Sequence, residues 1–71
     1  MSLPPVGSGV HLDINILLVE DVPMIAKIVE RMLMNSSHCT YHIEWRVSLA
    51  EALAALRSRD FDTVLLDLNL P

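Results

Sequence analysis

Apolar residues in this chain gather in three ways, and each way predicts a different element. Ile14 to Val19 reads I-N-I-L-L-V, nearly continuous, which suits a strand covered on both faces; it predicts β1 over about 14–20. Ile25, Ile28, Val29, Met32 and Leu33 then recur at helical spacing, with Lys27, Glu30 and Arg31 on the other side. This stripe predicts α1 over about 22–35, opened by Pro23, whose missing N–H costs nothing in a first turn, and stopped by Asn35-Ser36-Ser37. The next stretch alternates strictly. Tyr41, Ile43, Trp45 and Val47 face one side and His42, Glu44 and Arg46 the other, so β2 over about 41–47 is a strand covered on one face, as at the margin of a sheet.

Ser48-Leu49-Ala50-Glu51 is a capping-box sequence that starts α2 over about 49–59. Leu49, Ala52, Leu53 and Leu56 form its expected buried stripe, and Arg57 and Arg59 suit the negative end of the helix dipole. Phe61 is expected under the connection into β3, over about 62–68, whose apolar run Val64-Leu65-Leu66 again suits a strand covered on both faces. The order β1-α1-β2-α2-β3, with short connections, predicts an α/β fold, a doubly wound parallel sheet. With β2 at the margin, the strand order is 2-1-3 and the helices lie on opposite faces. The crossover direction reverses at β1, and such a reversal opens a crevice beyond the carboxyl ends of the flanking strands, where ligands of open α/β sheets bind.

Composition narrows the class. The chain has 71 residues, enough for one small domain, and 52% of them are hydrophobic, which argues against disorder throughout. Its net charge of -4, without any basic run, argues against a nucleic-acid or anionic-membrane surface. The single Cys39 cannot form an internal disulfide, no signal peptide is evident, and no apolar run approaches membrane-spanning length, so the expected location is cytoplasmic. Residues 1–13, with Pro4, Pro5, Gly7 and Gly9, read as a flexible leader, and residues 14–71 as the folded part.

The candidate chemistry lies at the ends of the two apolar strands. β1 runs into Glu20-Asp21 and β3 into Asp67, so adjacent strands bring three carboxylates to one sheet edge. Carboxylates crowded beside an apolar strand are costly without an offsetting charge, and they invite a cation. Other candidates are weaker. His38, Cys39 and His42 straddle a loop and an alternating strand with no zinc-type spacing, and they read as two surface histidines and a packed thiol. Trp45, on the marginal strand, is expected to lie apart from the acids.

An acidic pair after a hydrophobic strand, then a helix, then L-L-D-L-N-L-P together resemble the receiver domain of bacterial response regulators, over about 15–71. The resemblance implies a flavodoxin-like fold with strand order 2-1-3-4-5, of which the β1-α1-β2-α2-β3 part is present here. It further implies that Asp67 is the phosphoacceptor and that Asp21 and Asp67 ligate Mg²⁺ directly. By the same resemblance, Glu20 holds the ion through water and Asn69 offers its backbone carbonyl. The implied partners are a sensor histidine kinase or a phosphotransfer protein and an output domain. The implied role is that of an acceptor module, with no enzymatic activity beyond its own phosphorylation. Mg²⁺ suits the residues independently, because a hard cation prefers oxygen ligands and neutralises charge on a transferred phosphoryl group.

The departures matter as much. The family's hydroxyl residue after strand four and its lysine after strand five have no counterpart here, and Lys27, on the polar side of α1, cannot take that role. An apolar β3 should not stand as an unprotected edge, so a partner, a further segment or self-association is expected beside it. The alternative reading is therefore a non-catalytic half-receiver, an interaction module working through that edge. A haloacid-dehalogenase-like phosphatase also uses a strand-end aspartate, but its D-x-D pattern is not met by Asp67-Leu68-Asn69.

Overall fold

The computed structural model describes residues 11–67. They form β1 (Leu12–Val19), α1 (Pro23–Met34), β2 (Cys39–Arg46), α2 (Leu49–Ser58) and β3 (Thr63–Leu66). The sheet is parallel, in the order β2-β1-β3. The predicted elements and their order hold, and the boundaries shift by a few residues. β1 begins at Leu12, earlier than its apolar run, because Leu12 and Asp13 pair with Cys39 and Thr40. That extension is polar: His42 Nε2 meets Asp13 Oδ1 at 3.0 Å and His11 hydrogen-bonds Thr40. Residues 1–10 of the expected leader lie outside the described residues.

β1 is the centre of the molecule. Ile16, Leu17, Leu18 and Val19 are all buried, Leu17 completely, as a strand paired on both edges and covered on both faces must be. Leu17 and Val19 pack with Ala52 and Ala55 of α2 and with Phe61. Leu18 turns to the other face, where it lines a groove with Val29 of α1. The helices thus cover opposite faces.

Both helices lie on their small residues, which corrects the expected stripes. On α1 the buried residue is Ala26, with Val29 and Leu33 half-buried, whereas Ile25, Ile28 and Met32 are exposed, Met32 to 71%. On α2, Ala52 and Ala55 face the sheet, and Leu49, Leu53 and Leu56 are exposed. Alanines let a helix axis approach the sheet closely, and the larger side chains then flank the contact line instead of filling it.

Local signals account for the helix ends. Val22 caps α1 without a side-chain bond, and Pro23 fills the first turn. Ser48 Oγ accepts from the Glu51 N–H at 3.2 Å, half of the expected capping box. The other half differs, because the Glu51 carboxylate accepts from the Ser48 hydroxyl and not from its backbone. Arg59 does more than balance the α2 dipole. It pairs with Glu44, which Arg46 also engages at 2.8 Å, and its guanidinium lies 4.9 Å from the Phe61 ring centre.

β3 is clasped at its start. The Asp62 N–H donates to the Asn15 carbonyl at 2.8 Å, and the Asn15 N–H donates to Asp62 Oδ2 at 2.7 Å. Beyond this point β3 departs from expectation, since Val64 and Leu66 are 45% and 48% exposed and only Leu65 is half-buried. The register puts Val64 and Leu66 on the same face as Leu17 and Val19, where α2 packs on β1 and β2; among the described residues that face of β3 is left largely uncovered, and no strand pairs with its outer edge. No described helix is long and apolar enough to cross a membrane.

Two outcomes follow from this packing. Among the described residues, three of the seven buried apolar ones are alanines, so the core is thin; Leu17→Ala should cost about 2–5 kcal/mol in denaturant titration, enough to unfold most of a small domain. The 71-residue chain should also be marginally stable or self-associate through Val64 and Leu66, with sedimentation coefficients that rise with concentration, and Leu66→Lys should suppress the rise. A dilution-insensitive, cooperatively folding parent monomer would contradict it.

Candidate metal centre

Parallel pairing carries the ends of β1 and β3 to the same edge of the sheet. Val19 stands opposite Leu66, so the residues that follow, Glu20 and Asp67, leave the sheet side by side. Their backbones continue the ladder for one more step: the Glu20 N–H donates to the Arg46 carbonyl at 3.0 Å and the Asp67 N–H to the Val19 carbonyl at 3.1 Å. Glu20, Asp21 and Asp67 each bring a carboxylate oxygen into a group whose members all lie within 4.8 Å of one another. The three acids singled out in the sequence are therefore brought together. Asn69 lies outside the described residues.

Exposure grades across the cluster. Glu20 is 5% exposed and is the one buried charged or polar residue among those described, Asp67 is half-buried, and Asp21 is exposed. A buried carboxylate needs compensation. Glu20 Oε2 accepts from the Val22 N–H at 3.2 Å, which stabilises the charged form. That bond does not suffice. Burial foremost, and then the neighbouring Asp67 and Asp21 carboxylates, hold the Glu20 carboxyl above its ordinary range. A set of three carboxylates supplies only oxygen donors, with like charges that a divalent cation would neutralise, and so fits a hard cation such as Mg²⁺. The groove lined by Leu18, Val29, Val64 and Leu66, of about 370 Å³, also reaches Glu20 and Asp67.

The other candidates take structural places. His42 engages Asp13, and His38 is exposed. Cys39 is half-buried and raises the Tyr41 phenol above its usual range. Lys27 is exposed on α1. Trp45 is the residue whose position the alternating pattern of β2 misjudged. It stands opposite Leu18, two residues before Glu20, and its indole Nε1–H donates to the Glu20 carbonyl at 2.7 Å. Laying the expected β2, 41–47, in parallel beside the expected β1, 14–20, puts Trp45 opposite Leu18, and that was the signal that could have found it.

The titration of Glu20 predicts a pH dependence for the metal-free protein. A carboxyl whose pKa is raised on folding favours the folded state when protonated. Its stabilising contribution is full below the unfolded value near 4.5 and is lost as pH rises through the folded value. Glu20→Gln should therefore stabilise the metal-free chain at neutral pH and flatten that slope, as urea unfolding at a series of pH values would record.

No family model matches the chain, and no solved structure matches it. It is 40% identical over 72 residues to the sensor histidine kinase AruS of Pseudomonas aeruginosa, an alignment that takes in 96% of this chain. The chain spans only 6% of that protein's length.

Proposed function

We propose that the chain is the β1-α1-β2-α2-β3 part of a receiver module in two-component signalling, that Asp67 is its phosphoacceptor, and that Mg²⁺ binds at Glu20, Asp21 and Asp67. The observation that carries the reading is the meeting of these carboxylates within 4.8 Å at the carboxyl edge of a β2-β1-β3 sheet. Similarity to a segment of a sensor histidine kinase supports the signalling context. The donor would then be the phosphohistidine of a kinase or phosphotransfer protein, in the cytoplasm.

Each acid has a separable task. Asp67, half-buried at the end of β3, is the nucleophile: a carboxylate oxygen attacks phosphorus, the P–N bond to the donor imidazole breaks, and the ring nitrogen leaves with the electron pair and takes up a proton. Bound Mg²⁺ supplies charge neutralisation for the phosphoryl oxygens. Asp21, exposed, is the acid most accessible to an entering ion, and buried Glu20 adds the charge that makes a cation favourable at the back of the cluster. Asn69 would contribute its carbonyl. Phosphorylation would regulate an output domain.

The exposed apolar residues of β3 favour a second reading, a non-catalytic interaction module that pairs through this edge. Intact-mass analysis after treatment with acetyl phosphate or a phosphorylated kinase, with and without Mg²⁺, separates the two. A Mg²⁺-dependent gain of one phosphoryl group, abolished by Asp67→Asn, is expected. A gain that survives Asp67→Asn moves the acceptor elsewhere, and no gain in a longer chain carrying this segment favours the interaction module.

Mg²⁺ binding itself should weaken on acidification, because protonated carboxyls do not ligate. The raised Glu20 carboxyl starts this loss at a higher pH than an ordinary glutamate would. Calorimetric titration of Mg²⁺ across pH tests it, and an Asp21→Asn protein that binds as well as the parent would remove Asp21 from the site.

A further inference from the structure

We propose that Trp45 is a positioning residue for the metal site: its indole N–H holds the peptide between Glu20 and Asp21 in the orientation that turns both acids towards Asp67. The inference rests on the metal-site reading above and adds to it a residue from the marginal strand.

Both backbone groups of Glu20 are held by β2. Its N–H donates to the Arg46 carbonyl at 3.0 Å, and its carbonyl accepts from Trp45 Nε1 at 2.7 Å. In a regular parallel ladder that carbonyl would accept from a backbone N–H two residues beyond Arg46, at Ser48. β2 ends at Arg46, and Ser48 is already the N-cap of α2. The indole therefore supplies the bond that the departing strand no longer provides. A carbonyl beside a buried residue is costly to leave unpaired. The consequence is geometric, because the Glu20 carbonyl belongs to the same rigid plane as the Asp21 nitrogen. Fixing that oxygen fixes the direction in which the chain leaves β1. The same turn is held from the other side by the Val22 N–H on Glu20 Oε2, at 3.2 Å. Between these two bonds the backbone leaving β1 and the Glu20 carboxylate are held, so less of the acidic pair has to be ordered when a cation arrives.

The test starts with the full chain and the metal alone. In the parent, the single indole N–H should give a nuclear magnetic resonance signal that exchanges slowly with water and shifts on saturation with Mg²⁺. It should not shift when the same Mg²⁺ is added to Asp21→Asn. Trp45→Phe, which keeps an aromatic ring and removes the donor, should weaken Mg²⁺ at least fivefold by calorimetry. Ile43→Val, on the same side of β2, is the control for general loosening and should leave the affinity per folded molecule unchanged. An indole proton that exchanges freely and does not respond to Mg²⁺ overturns the proposal even if Trp45→Phe fails to fold. Unchanged affinity in Trp45→Phe, or an equal loss in Ile43→Val, overturns it while leaving the metal site standing. A folded parent that does not bind Mg²⁺ at all overturns both.

Discussion

The constraint on which this molecule depends is the confinement of β1. Its hydrogen bonds are taken on one edge by β2 and on the other by β3, and its side chains are taken by α2 on one face and the α1 side on the other. A strand so enclosed can leave the sheet only at its end, and the first residues past that end are Glu20 and Asp21. The cost of placing charge beside a fully buried Val19 is thus built into the chain path. Everything distinctive about the site comes from that junction: the raised Glu20 carboxyl, the bond it accepts from the Val22 N–H, and the proximity of Asp67.

Much of this was legible in the sequence because the relevant signals are local. Continuous apolar runs marked β1 and β3, alternation placed β2 at the margin, and Ser48 with Glu51 marked a helix start; strand order followed from these and from chain topology. The acidic cluster was legible for the same reason, since adjacent parallel strands that each run directly into acid carry those acids to one edge of the sheet.

What the sequence did not convey is non-local or depends on size. Helical periodicity identified an apolar stripe on α1 but not which of its margins meets the sheet, and close approach chose Ala26 over Ile25 and Ile28. The same preference for small residues put Ala52 and Ala55 beneath α2 and its leucines outside. The early start of β1 depends on partners in β2 nearly thirty residues away, such as His42 for Asp13. The reach of Trp45 to Glu20 depends on where one strand stops and another continues, and no pattern within either strand records it. The exposure of Val64 and Leu66 has a similar origin, because an apolar run states that a strand can be covered without stating what covers it.

The clasp between Asn15 and Asp62 has a meaning larger than its two hydrogen bonds. Side chains on a strand alternate between faces, so a slip of β3 by one residue against β1 would exchange its two faces and bring Leu66 or Leu68 to the place of Asp67. An apolar strand whose neighbouring residues are leucines has little in its own side chains to resist such a slip. Asp62 resists it from the opposite end of the strand, since its nitrogen and its carboxylate can meet the carbonyl and nitrogen of Asn15 together in one alignment only. A surface aspartate far from the acidic cluster thereby acts as the ruler that decides whether the cluster has three carboxylates or two.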